Sequence, residues 1–340
     1  MANTLNIKTS FDPLQSTAPN PWVHRLAVGT VCVALLPLFV GALVTTHGAG
    51  MAFTDWPGSD GYNIFAYPFW QKTGDKFLEH SHRLAGIVIG VASIAFATVA
   101  WLKESRWWVR WMALGLLGGV IAQGILGGQR VLLNERGLAF VHSGFAAILF
   151  GFMGILAVVT SDRWRLAAQS VTNRPVSGLL KFAVVTLIAV YLQYVLGGMV
   201  RHQGAHLYEH LGWAFVAAAC LLGLSLASLS SGAEWLRAPA AIVAFLTLAQ
   251  LILGAASWIL KFGLGIDKYS YGNSVLVRGT PEQVWTCTAH ALGGMLLFLT
   301  TVVLLTRIAR LHWCWKRLQP IVASDSVRMR GSLPAPGGAG

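Results

Sequence analysis

Eight runs of about 20 apolar residues, each long enough to cross a bilayer as a helix, divide the chain. They fall at 26–45, 81–102, 108–128, 139–160, 178–199, 210–231, 239–260 and 286–306. In lipid every backbone N–H and C=O needs a partner within its own segment, so runs of this length predict helices rather than strands. The first 25 residues are polar and contain Pro13, Pro19 and Pro21. Because the first apolar run is of full membrane length, it is expected to stay as a span rather than be removed as a signal. The segment after Gln319 is rich in Ser, Pro and Gly and is expected to be disordered.

Composition agrees with a lipid environment: 55% of residues are hydrophobic, 11% are charged, and the mean hydropathy is +0.60. The net charge of +12 would suit a nucleic-acid binder, but its distribution speaks for topology instead. With both termini on one side, that side collects 16 of the 25 basic residues, leaving Lys72, Lys76, Arg83, Arg130, Arg136, Arg201, Lys261, Lys268 and Arg278 opposite. An excess of Lys and Arg marks the cytoplasmic side, so both termini are expected there and no nucleic-acid partner is expected.

A short pattern returns four times across successive pairs of helices. A glycine step closes one helix and a histidine opens the next: Gly41 then His82, Gly127 and Gly128 then His142, Gly197 and Gly198 then His210, Gly254 then His290. GALVTTHGAG at 41–50 also aligns with GGMVRHQGAH at 197–206. The chain therefore reads as two tandem, pseudo-symmetric four-helix bundles sharing one orientation, with all four histidines at one membrane face. Small residues at these points also serve close helix packing, which is compatible with a flat cofactor between helices.

Single histidines near helix ends, such as His24, His47 and His312, read as hydrogen-bonded interfacial residues. Four at equivalent repeat positions inside a membrane domain point to a shared role. Zinc or copper would call for cysteines or clustered ligands; His80 with His82 and His206 with His210 are close in sequence, but neither spacing recurs in the other half. Cys32, Cys220, Cys287 and Cys314 form no CxxC pair and read as small apolar filler. Two histidines per half, each from a different helix, suit a haem iron held from both faces, giving His82 with His142 and His210 with His290.

Only the first site has an acid one helical turn before its histidine. Glu79 precedes His82 by three residues, where His142, His210 and His290 have Ala139, Leu207 and Cys287. This favours chemistry at the first haem and support or electron transfer at the second, with an ion pair to Arg83 as the plainer role for Glu79. Glu209, adjoining His210, points about 100° away and is the weaker candidate. In the long loop at 46–79, Trp56, Tyr62, Phe65, Tyr67, Phe69 and Trp70 suit an aromatic belt or a roof over the first site, and Tyr269 and Tyr271 invite the same two readings.

The segments VGALVTTHGAGMAFTDWP, EHSHRLAG, LGGQRVLLN with VHSGFA, HLGWA and HALGG resemble haem A synthases of the CtaA/Cox15 family, and the resemblance covers nearly all of residues 25–310. It implies an oxidoreductase that converts the C8 methyl of haem O to the formyl of haem A, with oxygen from water. It implies that His82 and His142 flank the substrate haem, that Glu79 is the acid needed for turnover, and that His210 and His290 ligate a retained haem b. Many bacterial members carry a cysteine pair in the first outer loop, and residues 46–79 contain none.

The expected organisation is a polar cytoplasmic tail at 1–25, a substrate-haem half at 26–165, a cytoplasmic linker at 166–177, a haem b half at 178–316 and a disordered tail at 317–340. The expected place is the cytoplasmic membrane with the haem sites toward its outer face. The expected partners are haem O, haem O synthase, cytochrome oxidase assembly proteins and an electron acceptor, with self-association left open. A dihaem electron-transfer cytochrome and a non-catalytic haem carrier stand as alternatives; roles for His80, His202 and His206 are open.

Overall fold

The computed structural model describes residues 20–167, 177–262 and 279–331, with side chains to 317. Lys8, Pro13, Pro19, Arg174, Lys268, Tyr269, Tyr271, Arg278 and the final Pro/Gly-rich stretch lie outside the described residues. Eight described helices are long and apolar enough to cross a membrane. They are α1 (Pro21–His47), α2 (Asp75–Lys103), α3 (Trp107–Leu132), α4 (Arg136–Val159), α5 (Ser177–Gln203), α6 (Leu207–Ser230), α7 (Glu234–Phe262) and α8 (Pro281–Gly331). Each predicted run matches one of them, with 139–160 and 210–231 overrunning their helices by one residue, and no strand occurs among the described residues.

The helices outrun the apolar runs because polar termini extend them. Asn20 caps α1 by accepting from the Trp22 N–H, with Pro21 at the first position, where its missing N–H costs nothing. At the other end Gly48, at φ 69°, turns the chain into the outer loop while its N–H bonds Thr45 O. Helix α2 starts six residues before the predicted limit, with Asp75 in its positive first turn, so Glu79 and His80 lie on the same helix as His82. Helix α8 runs on to Gly331, past residue 317, where the sequence suggested a disordered tail.

Consecutive helices pack against one another. Helix α1 also closes on α4, and α5 on α8, making two rings of four that meet along α1, α4, α5 and α8. Glycines let this seam close: a Cβ on Gly151 would stand 2.9 Å from the Phe298 ring, and Gly154 lies against Leu299 and Val303. The Tyr194 hydroxyl donates to Ser143 O at 3.1 Å across α4 and α5, and Thr288 donates to Thr46 at 3.1 Å across α8 and α1. Phe215, Phe245 and Ile252 point outward, exposed, as side chains facing lipid do.

The end opposite the histidines is pinned by charge. Arg106 pairs with buried Glu104 at 2.8 Å and donates to Val159 O at 2.8 Å. Burial raises the Glu104 carboxyl, but the Arg106 hydrogen bonds outweigh it and hold the carboxyl below its ordinary value. His24, expected at an interface, hydrogen-bonds Thr160 at 3.1 Å, and His312 stacks on Trp315.

Because α2, α3 and α4 separate them, Phe65 and Arg163 should lie on opposite sides of the membrane. In a background lacking the native cysteines, a membrane-impermeant thiol reagent should label Phe65→Cys and Arg163→Cys from opposite sides. Labelling of both from one side would contradict the order of crossings.

Candidate functional site

The four repeat histidines come together as two pairs near one end of the bundle. The rings of His82 and His142 stand 6.3 Å apart, centre to centre, with planes at 82°. Those of His210 and His290 also stand 6.3 Å apart, at 78°. Imidazole–metal bonds are about 2.0 Å and a ring nitrogen lies roughly 1.1 Å from its ring centre, so two imidazoles on one iron should stand about 6.2 Å apart. The residues present therefore fit an iron between each pair.

The spacing is set by the helix before each histidine. A Cβ built on Gly41 would stand 2.7 Å from Cε1 of His82; on Gly127, 3.0 Å from His142; on Gly197, 2.9 Å from His210; on Gly254, 3.2 Å from His290. Each ring occupies the volume that a side chain on its glycine would fill. Packing and cofactor space are thus the same feature at these positions.

Four residues before each glycine the repeat continues. Gln123 donates to His142 O at 2.9 Å, and Gln193 donates to His210 O at 3.0 Å. With its amide assigned by its hydrogen-bond partners, Gln250 donates to His290 O at 3.0 Å and to His290 Nδ1 at 2.9 Å. Pro37 takes this place in α1, and proline has no side-chain donor. The Nδ1 atoms of His82, His142 and His210 are buried without a hydrogen-bond partner.

The outer loop makes the first pair different from the second. Glu79 is 1% exposed and both its oxygens are engaged: Oε1 accepts from Arg83 at 2.9 Å, and Oε2 from the N–H groups of Ala52 at 2.6 Å and Phe53 at 3.3 Å. Arg83 also donates to the carbonyls of Asp55, at 2.9 Å, and Gly58. The Asp55 carboxylate accepts from the N–H groups of Asp60 and Gly61 at 3.0 and 2.9 Å. Burial raises its pKa, but these donors and Arg83 together hold it below the ordinary 3.8. Glu79 therefore fastens the loop to α2, and the ion pair to Arg83 is present.

Tyr62, Phe65 and Trp70 are exposed, as a belt requires. Trp56 is also partly exposed and packs against Gly128 of α3, one residue beyond the glycine under His142. Tyr67 and Phe53 are buried, with Phe69, around His80, which is 0% exposed and bonds Ser59 Oγ at 2.9 Å. His80 is thus part of the loop's core. His206 pairs with Glu209 at 3.3 Å on the surface, and His202 is buried with its edge toward Phe140. Among the described residues no group of three or more metal-ligating side chains occurs, and Cys32, Cys220, Cys287 and Cys314 are free.

Sequence reading found the histidine pairs but not the glutamines, Pro37 or Arg130. A Q-x-x-x-G signal was available in three of the four copies. Arg130 carried no signal of its own beyond being one of nine basic residues on the sparsely charged side.

Gly41→Ala should displace the His82 ring, since an added methyl in a packed site costs about 1–3 kcal/mol, equivalent to roughly five- to 150-fold in binding. Haem bound at the first pair, read by absorbance of the purified protein, should fall by about that factor while the second pair is unaffected. Equal loss at both pairs, or none, would contradict the assignment of Gly41 to His82.

A family model described as cytochrome oxidase assembly protein, COX15-CtaA, matches residues 24–209. The chain is 29% identical over 197 residues to a protein of Symbiobacterium thermophilum named heme A synthase, covering 56% of this chain and 62% of that one. It is 29% identical over 191 residues to a heme A synthase of Shouchella clausii, covering 54% and 61%. It is 24% identical over 321 residues to a heme A synthase of Geobacillus kaustophilus, covering 83% and 92%. The matches to the first two thus span a little over 60% of those relatives' length. A match over more than half the chain, on eight membrane-length helices, places this protein in the COX15-CtaA family of cytochrome oxidase assembly proteins.

Proposed function

We propose that this chain is a haem A synthase, an oxidoreductase that converts the C8 methyl of haem O to a formyl group and so supplies haem A for cytochrome oxidase. The observation that carries the reading is one bis-histidine geometry, 6.3 Å in each half, within a family of oxidase assembly proteins. His82 and His142 hold the iron of the substrate haem O. His210 and His290 hold haem b, which when bound supplies a centre for electron transfer. Turning the methyl into a formyl takes one oxygen from water and releases electrons and protons in equal number to an acceptor of electrons outside the chain.

The first half is assigned the chemistry because the acid and the fastened loop are there. Glu79 and Arg83 hold loop residues 52–58 to α2 one turn before His82. Glu79 is the acidic group on which turnover depends. The protein sits in the cytoplasmic membrane with both termini inside and the histidine pairs toward the outer face. Haem O synthase provides the substrate, and assembly proteins of the oxidase receive the product. The near identity of the two pairs favours one second reading, a dihaem cytochrome that passes electrons and leaves its haems unaltered.

Haem extracted from a host that makes haem O, with and without this gene, should contain haem A or its hydroxylated intermediate only when the gene is expressed. Haem B and haem O alone, beside a well-expressed, haem-loaded protein, would favour the cytochrome. In the same host Glu79→Gln should keep its haem and lower haem A formation by at least about tenfold. Unchanged turnover with intact haem would remove Glu79 from the mechanism.

A further inference from the structure

Arg130 lies in the last turn of α3, three residues beyond Gly127, the glycine under His142. It is 7% exposed, and its Nε has no hydrogen-bond partner. Among the described residues its guanidinium makes no ion pair or side-chain hydrogen bond. Glu79, the acid that acts on it through space, has both oxygens engaged by Arg83 and by the Ala52 and Phe53 amides. Among the described residues, Glu79, Arg83 and Arg130 therefore leave one largely buried positive charge without a paired acid. Buried guanidinium groups are ordinarily paired or bidentate to an anion.

The position identifies the anion. Arg130 stands one helical turn beyond Gly127, whose Cβ position lies 3.0 Å from His142, so it borders the first pair. A Cβ on Gly50 would stand 3.2 Å from Nη1, so the outer loop passes directly over the guanidinium at a residue without a side chain. The anionic groups of a haem between His82 and His142 are the carboxylates at one edge of the ring. A fork of N–H donors beside the ring matches that edge. Arg83 is committed to Glu79 and the loop carbonyls, and half-buried Arg201 is already occupied by Ala42 O and Thr46 Oγ1.

We propose that Arg130 binds a peripheral carboxylate of the haem held between His82 and His142, and thereby fixes which edge of the ring faces the outer loop. The proposal rests on the reading of the first pair as a haem site. With the carboxylate edge fixed at Arg130, the rest of the ring has one orientation about the iron axis. Arg130 is a positioning residue that makes the first pair selective for haems with free carboxylates.

The test is a titration of the full-length protein, purified from a haem-deficient host, with haem and with its dimethyl ester. Absorbance lost in His82→Ala identifies the first pair, and haem taken up by the second pair shows that each variant is folded. The wild type should bind haem at the first pair at least about tenfold more tightly than the diester, as expected for a charge-assisted pair. Arg130→Met should lose that preference with diester affinity unchanged, and Arg130→Lys should recover part of it. A preference that survives in Arg130→Met, or no preference in the wild type, overturns the proposal while leaving the haem site standing. A wild type whose absorbance is the same as that of His82→Ala overturns both.

Discussion

Everything at the functional end depends on the close fit between a glycine on one helix and a histidine ring on the next. A polar ring is costly inside a membrane bundle, and it becomes a defined site only when its position is fixed. Gly41, Gly127, Gly197 and Gly254 fix it by leaving the volume that the four rings enter. The same contact draws each helix pair together. The pairing distance of 6.3 Å in both halves follows from applying this contact twice per half.

Upon this common frame the first half adds a fastened loop. One carboxylate, Glu79, collects two loop N–H groups and Arg83, and Arg83 in turn collects two loop carbonyls. A buried carboxylate with both its oxygens satisfied is a rigid anchor, which fastens the outer loop to α2 one turn before His82. At the equivalent place in the other three copies the residues are Ala139, Leu207 and Cys287, which cannot form such an anchor. The divergence of the two halves is concentrated here, where substrate chemistry is assigned.

Much of the fold was legible in the sequence because lipid permits so few solutions. Each run of membrane length had to be a helix, and the repeated glycine and histidine positions indicated which helices face one another. Helix ends were less legible, since polar residues such as Asp75 and Glu79 extend α2 beyond its apolar run. The histidine pairs could be read from the repeat; the glutamines recur in three of the four copies, but spacing alone does not show that they hold the histidine carbonyls. Arg130 was read as one more basic residue on the outer side, and only its burial without a partner distinguishes it. Glu79 was visible as an acid one turn before His82, but its hold on Ala52 and Phe53 depends on a loop path that sequence spacing does not encode.

The account's central claim is that one chain carries two separate bis-histidine haem sites. Haem stoichiometry with low-temperature electron paramagnetic resonance, on the wild type, His82→Ala and His210→Ala, tests it most directly. The account predicts two low-spin bis-imidazole signals in the fully loaded wild type, one lost in each variant and a different one in each. A single signal at full loading, or the same signal lost in both variants, would contradict it.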